Sequence, residues 1–284
     1  MLPVGIFDAA IEACRTGFTG TLRIGMELYC ERIGGEGPAL LLLHGLAANG
    51  AVWTPVAREI RERWPGRILI PDLRGHGRSP HAFHYGYGQH AADVAGLLEP
   101  GEPVTVVGHS MGAVVGLALA CGWFGVSVAA VFGFSIKVNW TEAEIEKAHS
   151  LSAVPGRWFE TRSAAVERFL RRSGLSGLVD DQAEVVAAGV RQEAGRWRLA
   201  ADPRIFSAPG PSFQEIFRLA QIRSALACGS EDPMVSIEEL RVFDPNAILL
   251  PGLGHNPHVE APAVLVDAVD RFLAARPPGS SQQH

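Results

Sequence analysis

Five consecutive apolar residues, Ala39–Leu43 (ALLLL), run straight into His44-Gly45. A run this short, with no polar alternation, reads as a β-strand covered on both faces. Arg67–Ile70, Val104–Val107, Val128–Phe132, Ala225–Cys228 and Ala247–Leu250 have the same style. Helical patterns lie between or after them, at about Trp53–Arg63, Gln89–Leu98, Met111–Trp123 and Ala261–Ala274. The last places Leu265, Val269, Phe272 and Leu273 on one face. Thr21–Ile24 and Glu27–Arg32 read as a two-stranded entry. Buried strands alternating with helices define an α/β class, a mostly parallel sheet with helices on both faces.

The interval 137–220 breaks this rhythm. It is rich in charge and helix formers (TEAEIEKAHS, SAAVERFLRRS, DDQAEVVAAGVRQE) and shows no convincing buried strand. It reads as a helical cap inserted over one end of the sheet. The expected organisation is a core of 1–136 and 221–276, the cap, and a disordered tail at 277–284.

Bulk properties exclude several classes. A net charge of −5 and only two lysines, Lys137 and Lys147, give no reason to expect nucleic acid or an anionic membrane as partner. No apolar stretch is long enough to span a bilayer, and MLPVGIFDAAIEACR does not resemble a secretory leader. The cytoplasm is the default expectation. Cys14, Cys30, Cys121 and Cys228 show no metal-site spacing. Neither a metal nor a cofactor is expected, and oligomeric state is unreadable.

Gly108-His109-Ser110-Met111-Gly112 follows the apolar run VTVV and opens the small-residue helix AVVGLALA. A serine on such a strand-to-helix turn projects its hydroxyl away from the sheet. The helix aims its N-terminal N–H groups at the same point, where negative charge is favoured. Ser110 is therefore the expected nucleophile; the blander alternative is a helix-capping serine. His255, in the loop after the last apolar run, is the expected base, and Asp232, in the loop after ALACGSE, the carboxylate that orients it. The backbone N–H groups of Met111 and Leu46 are the expected oxyanion donors. Asp72, His76, His109 and His258 read as structural, and His44 as a support for the oxyanion loop. Trp140 and Phe159, in the insertion, are expected to line a substrate pocket.

With these residues in place, the chain resembles the α/β-hydrolase fold superfamily. The resemblance rests on LLLHGLAANGAVW, IPDLRGHGRSP, VVGHSMGA, ACGSEDPMV and LPGLGHNPHVEAP, in the family's order, from about Leu40 to Leu273. One departure is Arg223-Ser224-Ala225, where members often have a proline. The resemblance implies an eight-stranded sheet, a cap after the sixth strand, a Ser–Asp–His triad and no cofactor. It also implies hydrolysis of a small, fairly apolar carboxylic ester through an acyl-enzyme. Thioester, lactone and carbon–carbon bond hydrolysis use the same parts. A low-turnover ligand receptor and a cofactor-free oxygenase are the alternatives on the same fold.

Overall fold

The computed structural model describes residues 25–99, 101–207 and 212–275. The expected strand Thr21–Ile24, Cys14 and the tail 277–284 lie outside the described residues. Seven strands form one sheet in the order β1-β3-β2-β4-β5-β8-β9. They are β1 (Cys30–Ile33), β2 (Ala39–Leu43), β3 (Arg67–Pro71), β4 (Pro103–His109), β5 (Ser127–Phe134), β8 (Ser224–Gly229) and β9 (Ile248–Leu250). Only β1 runs antiparallel, against β3. The expected count of eight strands is thus seven among the described residues, and the insertion follows the fifth of them.

The helices are α1 (Thr54–Ile60), α2 (Tyr87–Ala95), α3 (Met111–Ala120), α4 (Glu142–Ala153), α5 (Arg162–Ser173), α6 (Glu184–Gly189), α7 (Phe213–Ala220), α8 (Ile237–Arg241), α9 (Pro257–Glu260) and α10 (Pro262–Ala274). All five residues of β2 are fully buried. Because side chains alternate across a strand, Leu41 and Leu43 join the cluster under α2, α3, α7 and α8, while Leu40 and Leu42 join the one under α1 and α10. That two-sided burial explains why the run has no polar member.

Between β5 and β8 the chain is not purely helical. Val190–Glu193 (β6) and Arg196–Leu199 (β7) form an antiparallel hairpin. Ala194 and Gly195 close it, both in the left-handed region at φ 47° and 79°, the geometry of the tight two-residue turn that matches strand twist. Val166, Phe169 and Leu170 of α5, Val185 and Val186 of α6, and Val190 share the apolar cluster of Trp53, Phe132 and Phe134.

β2 lies between β3 and β4, so chain connections reverse there and the loops after β2 and β4 become neighbours at the carboxyl edge. That edge is lined by buried histidines. His44 and His76 stand 5.0 Å apart between ring centroids, and His90 lies 6.3 Å from His76. Burial pushes His90 and His258 down to about 3 from the ordinary 6.5, and lowers His44, His76 and His109 as well. These rings are neutral in the fold, whereas an unfolded chain binds protons below pH 6.5. Stability is therefore complete above that pH and is lost as pH falls toward 3, by about 1.4 kcal/mol per pH unit for each such histidine. Urea denaturation between pH 7 and pH 5 should show this steep loss, and His90→Gln should reduce the slope by about one proton.

Candidate active site

Ser110 terminates β4 and precedes α3 with φ 49° and ψ −118°. Such a backbone is costly for a residue with a Cβ. It is held by a hydrogen bond from Ser110 N–H to Phe134 O (2.9 Å) and by close packing after the turn. A Cβ on Gly112 would collide with the carbonyls of Leu43 and His44. The Ser110 side chain makes no capping hydrogen bond to α3. The capping role considered from the sequence is therefore not what its hydroxyl does.

The loop after β2 is pressed against this turn. A Cβ on Gly45 would lie 2.6 Å from His109 Nδ1 and 3.4 Å from Ser110 Cβ. Leu73 N–H donates to His44 Nε2 (2.9 Å), which leaves Nδ1–H to donate to Gly45 O (2.8 Å). The His44 ring thus supports its own loop, as expected. Ala47, in the same loop, adopts φ 64° and is thus, like Ser110, a non-glycine residue in the left-handed region. No hydrogen bond among the described residues consumes the N–H of Leu46 or of Met111.

Asp232 and His255 meet directly. His255 Nδ1 lies 2.9 Å from Asp232 Oδ2 and 3.1 Å from Oδ1, so Nδ1 carries a proton and donates it to the carboxylate. The Asp232 side chain is fully buried and also accepts from Met234 N–H at 2.9 Å. Burial pushes its carboxyl up, but His255, Met234 N–H and the neighbouring Ser135 hydroxyl outweigh this and hold it below the usual value. The loop carrying the acid is tied to the one carrying the histidine. Ser230 N–H donates to Leu250 O (3.0 Å), Glu231 N–H to Leu253 O (2.9 Å), and Gly252 N–H to Ser230 Oγ (2.8 Å).

Two positioning groups escaped the sequence reading. His109 Nε2–H donates to His255 O at 2.9 Å, which joins the Ser110 turn to the His255 loop. Its ring centroid lies 5.0 Å from that of His255. Glu260 accepts from Gly254 N–H (2.6 Å) and Asn256 N–H (2.8 Å), clamping the backbone on both sides of His255. The sequence signal for both was only their nearness to the turn and to His255.

Asp72 serves the structural role expected of it, accepting from Gly50 N–H (2.6 Å) and Arg78 N–H (2.7 Å). His258 is buried against Trp53, His109 and Phe134. Phe159 is buried and pairs its backbone with Trp197, while Trp140 is half-exposed beside Lys137. Among the described residues no cluster of three or more histidines, cysteines and acids could hold a metal ion, and no helix is long and apolar enough to cross a membrane.

The model of the alpha/beta hydrolase family matches residues 40–268. The chain belongs to that family. It is 40% identical over 98 residues to the lipase LipV of Mycobacterium tuberculosis, a match covering 34% of this chain and 36% of the lipase. The chain thus spans only about a third of that relative. It is 26% identical to the pimeloyl-[acyl-carrier protein] methyl ester esterase of Vibrio vulnificus over 74% of this chain and 76% of the esterase. The crystal structure of E-2-(acetamidomethylene)succinate hydrolase shares the fold, with a TM-score of 0.71 and 20% identity over 88% of this chain and all (100%) of that one.

The Glu260 clamp yields a test. Glu260→Gln keeps the size of the side chain but can accept through only one oxygen. Its loss of a backbone acceptor beside His255 should lower the turnover number about tenfold or more while leaving KM nearly unchanged, as steady-state kinetics would reveal.

Proposed function

We propose that the protein is a serine hydrolase that cleaves a small carboxylic ester, with Ser110 as nucleophile, His255 as base and Asp232 as the orienting acid. One observation carries the proposal. The strained Ser110 leaves its hydroxyl free of the helix, on a turn bonded through His109 to the loop of an Asp232-bound histidine. The ester as target is supported by the relatives named as lipase and esterase.

The reaction follows from the roles. His255 Nε2 takes the proton as Ser110 Oγ attacks the carbonyl carbon. The unused N–H groups of Leu46 and Met111 receive the oxyanion, and one such donor is worth about 10²–10³ in turnover. The protonated imidazole, stabilised by ionised Asp232, gives its proton to the departing alcohol. Water then attacks the acyl-enzyme, loses its proton to His255 and releases the acid and free Ser110. The segment 137–220 acts as the lid over this site. Two amide contacts support that role: Asn49 Nδ2 donates to Val185 O (2.8 Å) and Asn256 Nδ2 to Gly174 O (3.0 Å).

A fluorophosphonate probe should label the protein once, and Ser110→Ala should abolish both labelling and hydrolysis of a p-nitrophenyl ester. Asp232→Asn should cut turnover on the order of 10⁴-fold by imposing the wrong histidine tautomer. A folded wild type that neither hydrolyses nor labels would overturn the proposal.

A further inference from the structure

Arg168 and Arg172 stand one turn apart on α5, both half-buried, and among the described residues neither has a carboxylate partner. Like charges at this spacing repel. Burial, then the charge of Arg168, pushes the Arg172 guanidinium down from its ordinary value. The helix C-terminus favours a cation here, but an exposed head would serve it equally well. Arg171 is such a head: it is exposed and paired with Glu167. Two arginines that line a cavity are, by contrast, neutralised. A cavity of 630 Å³ is lined by Arg78, His81 and Arg191, yet Arg78 is paired with Asp72 and Glu184, and Arg191 with Glu193.

The place of Arg172 gives its charge a use. Two residues beyond it, Gly174 O accepts from Asn256, the neighbour of His255. Its guanidinium lies 4.8 Å above the Phe206 ring. Phe206 and Leu46 pack on one small cluster of Ala47, Tyr85 and Ile205. Arg172 is thus tied through Phe206 to the cluster on which Leu46 packs, and its helix ends at the contact with Asn256. A planar guanidinium with unfilled donors in a half-buried setting suits a carboxylate, which it grips with two parallel bonds.

We propose that Arg172, backed by Arg168, is the specificity residue of this site and binds a substrate carboxylate, so that the favoured ester is the monoester of a dicarboxylic acid. The assignment rests on the serine hydrolase reading. It requires no new bond chemistry: the ester is cleaved as above while the distal carboxylate stays ion-paired.

The test compares monomethyl esters of the C4–C7 dicarboxylic acids with methyl esters of the matching monocarboxylic acids, on the full chain. Wild type should favour at least one monoester in kcat/KM by about ten- to hundredfold, less so at high salt. Arg172→Gln should erase that preference mainly through KM and leave the neutral ester within about twofold. Arg172→Lys, which keeps the charge without the fork, should restore part of it. Equal treatment of both ester types by wild type, or equal loss of both in Arg172→Gln, overturns the proposal. Calorimetric binding of the free C4–C7 dicarboxylates separates the two readings. Binding that Arg172→Gln abolishes, in a protein without turnover, keeps the carboxylate site and rejects the hydrolase. Absence of binding in a wild type that hydrolyses neutral esters rejects the carboxylate site alone.

Discussion

The close approach of α3 to the loop after β2 is the constraint on which this molecule turns. Gly112 lies against the carbonyls of Leu43 and His44, and Gly45 against His109 and Ser110, with no room for a side chain at either point. Any residue with a Cβ would force the helix away from the sheet edge. The Ser110 turn could then not hold φ 49°. Strand order makes this approach available, because β2 and β4 are neighbours at the point where chain connections reverse. The glycines make it tight enough to matter.

Around that contact the edge combines neutral histidines and backbone hydrogen bonds with two ion pairs, Arg78 with Asp72 and Arg74 with Asp93. His44, His76, His90, His109 and His258 are buried and held uncharged by their surroundings. Neutral rings can pack against Trp53 and Phe134 and still offer single directed hydrogen bonds, as His44 does to Gly45 O and His109 to His255 O. Charged rings there would carry a large desolvation cost. Asp232 differs from the buried Asp72 and Asp93 in having a histidine instead of an arginine as partner, and its donors hold its carboxyl below the usual value. That carboxylate lies directly against the His255 ring.

The parts legible in the sequence were those set by local pattern. Continuous apolar runs located all but the weakest strands, and the strand–turn–helix context of Ser110 pointed to the turn that the structure contains. The loop positions of Asp232 and His255 followed from chain order. What stayed hidden depended on contacts between distant residues. The hairpin β6–β7 pairs four-residue strands whose exposed faces carry arginine and glutamate, so no apolar run announced it. Gly195 was its only turn signal, because Ala194 adopts a positive φ that its residue type does not advertise. The roles of Glu260 and His109 depend on where the backbone beside His255 lies in space. Arg172 is one of ten arginines in the insertion, and only burial and the absence of a carboxylate partner among the described residues separate it from Arg171.

The insertion and the His255 loop are mechanically linked, and this bears on how such a fold can change substrates. Asn256 offers its backbone N–H to Glu260 and its side chain to Gly174 O at the end of α5. The same residue thus helps hold His255 in register and seats the helix that carries Arg172. Residues of α5 and α6 also share the apolar cluster that packs on Trp53 and Phe134, so α5 cannot shift without disturbing that packing. Side chains on the exposed faces of the insertion can vary without reaching His255. Changes at the Gly174–Asn256 contact would disturb the His255 loop and the end of α5 together, so under the roles proposed for His255 and Arg172 this contact is where specificity and catalytic geometry are hardest to evolve apart.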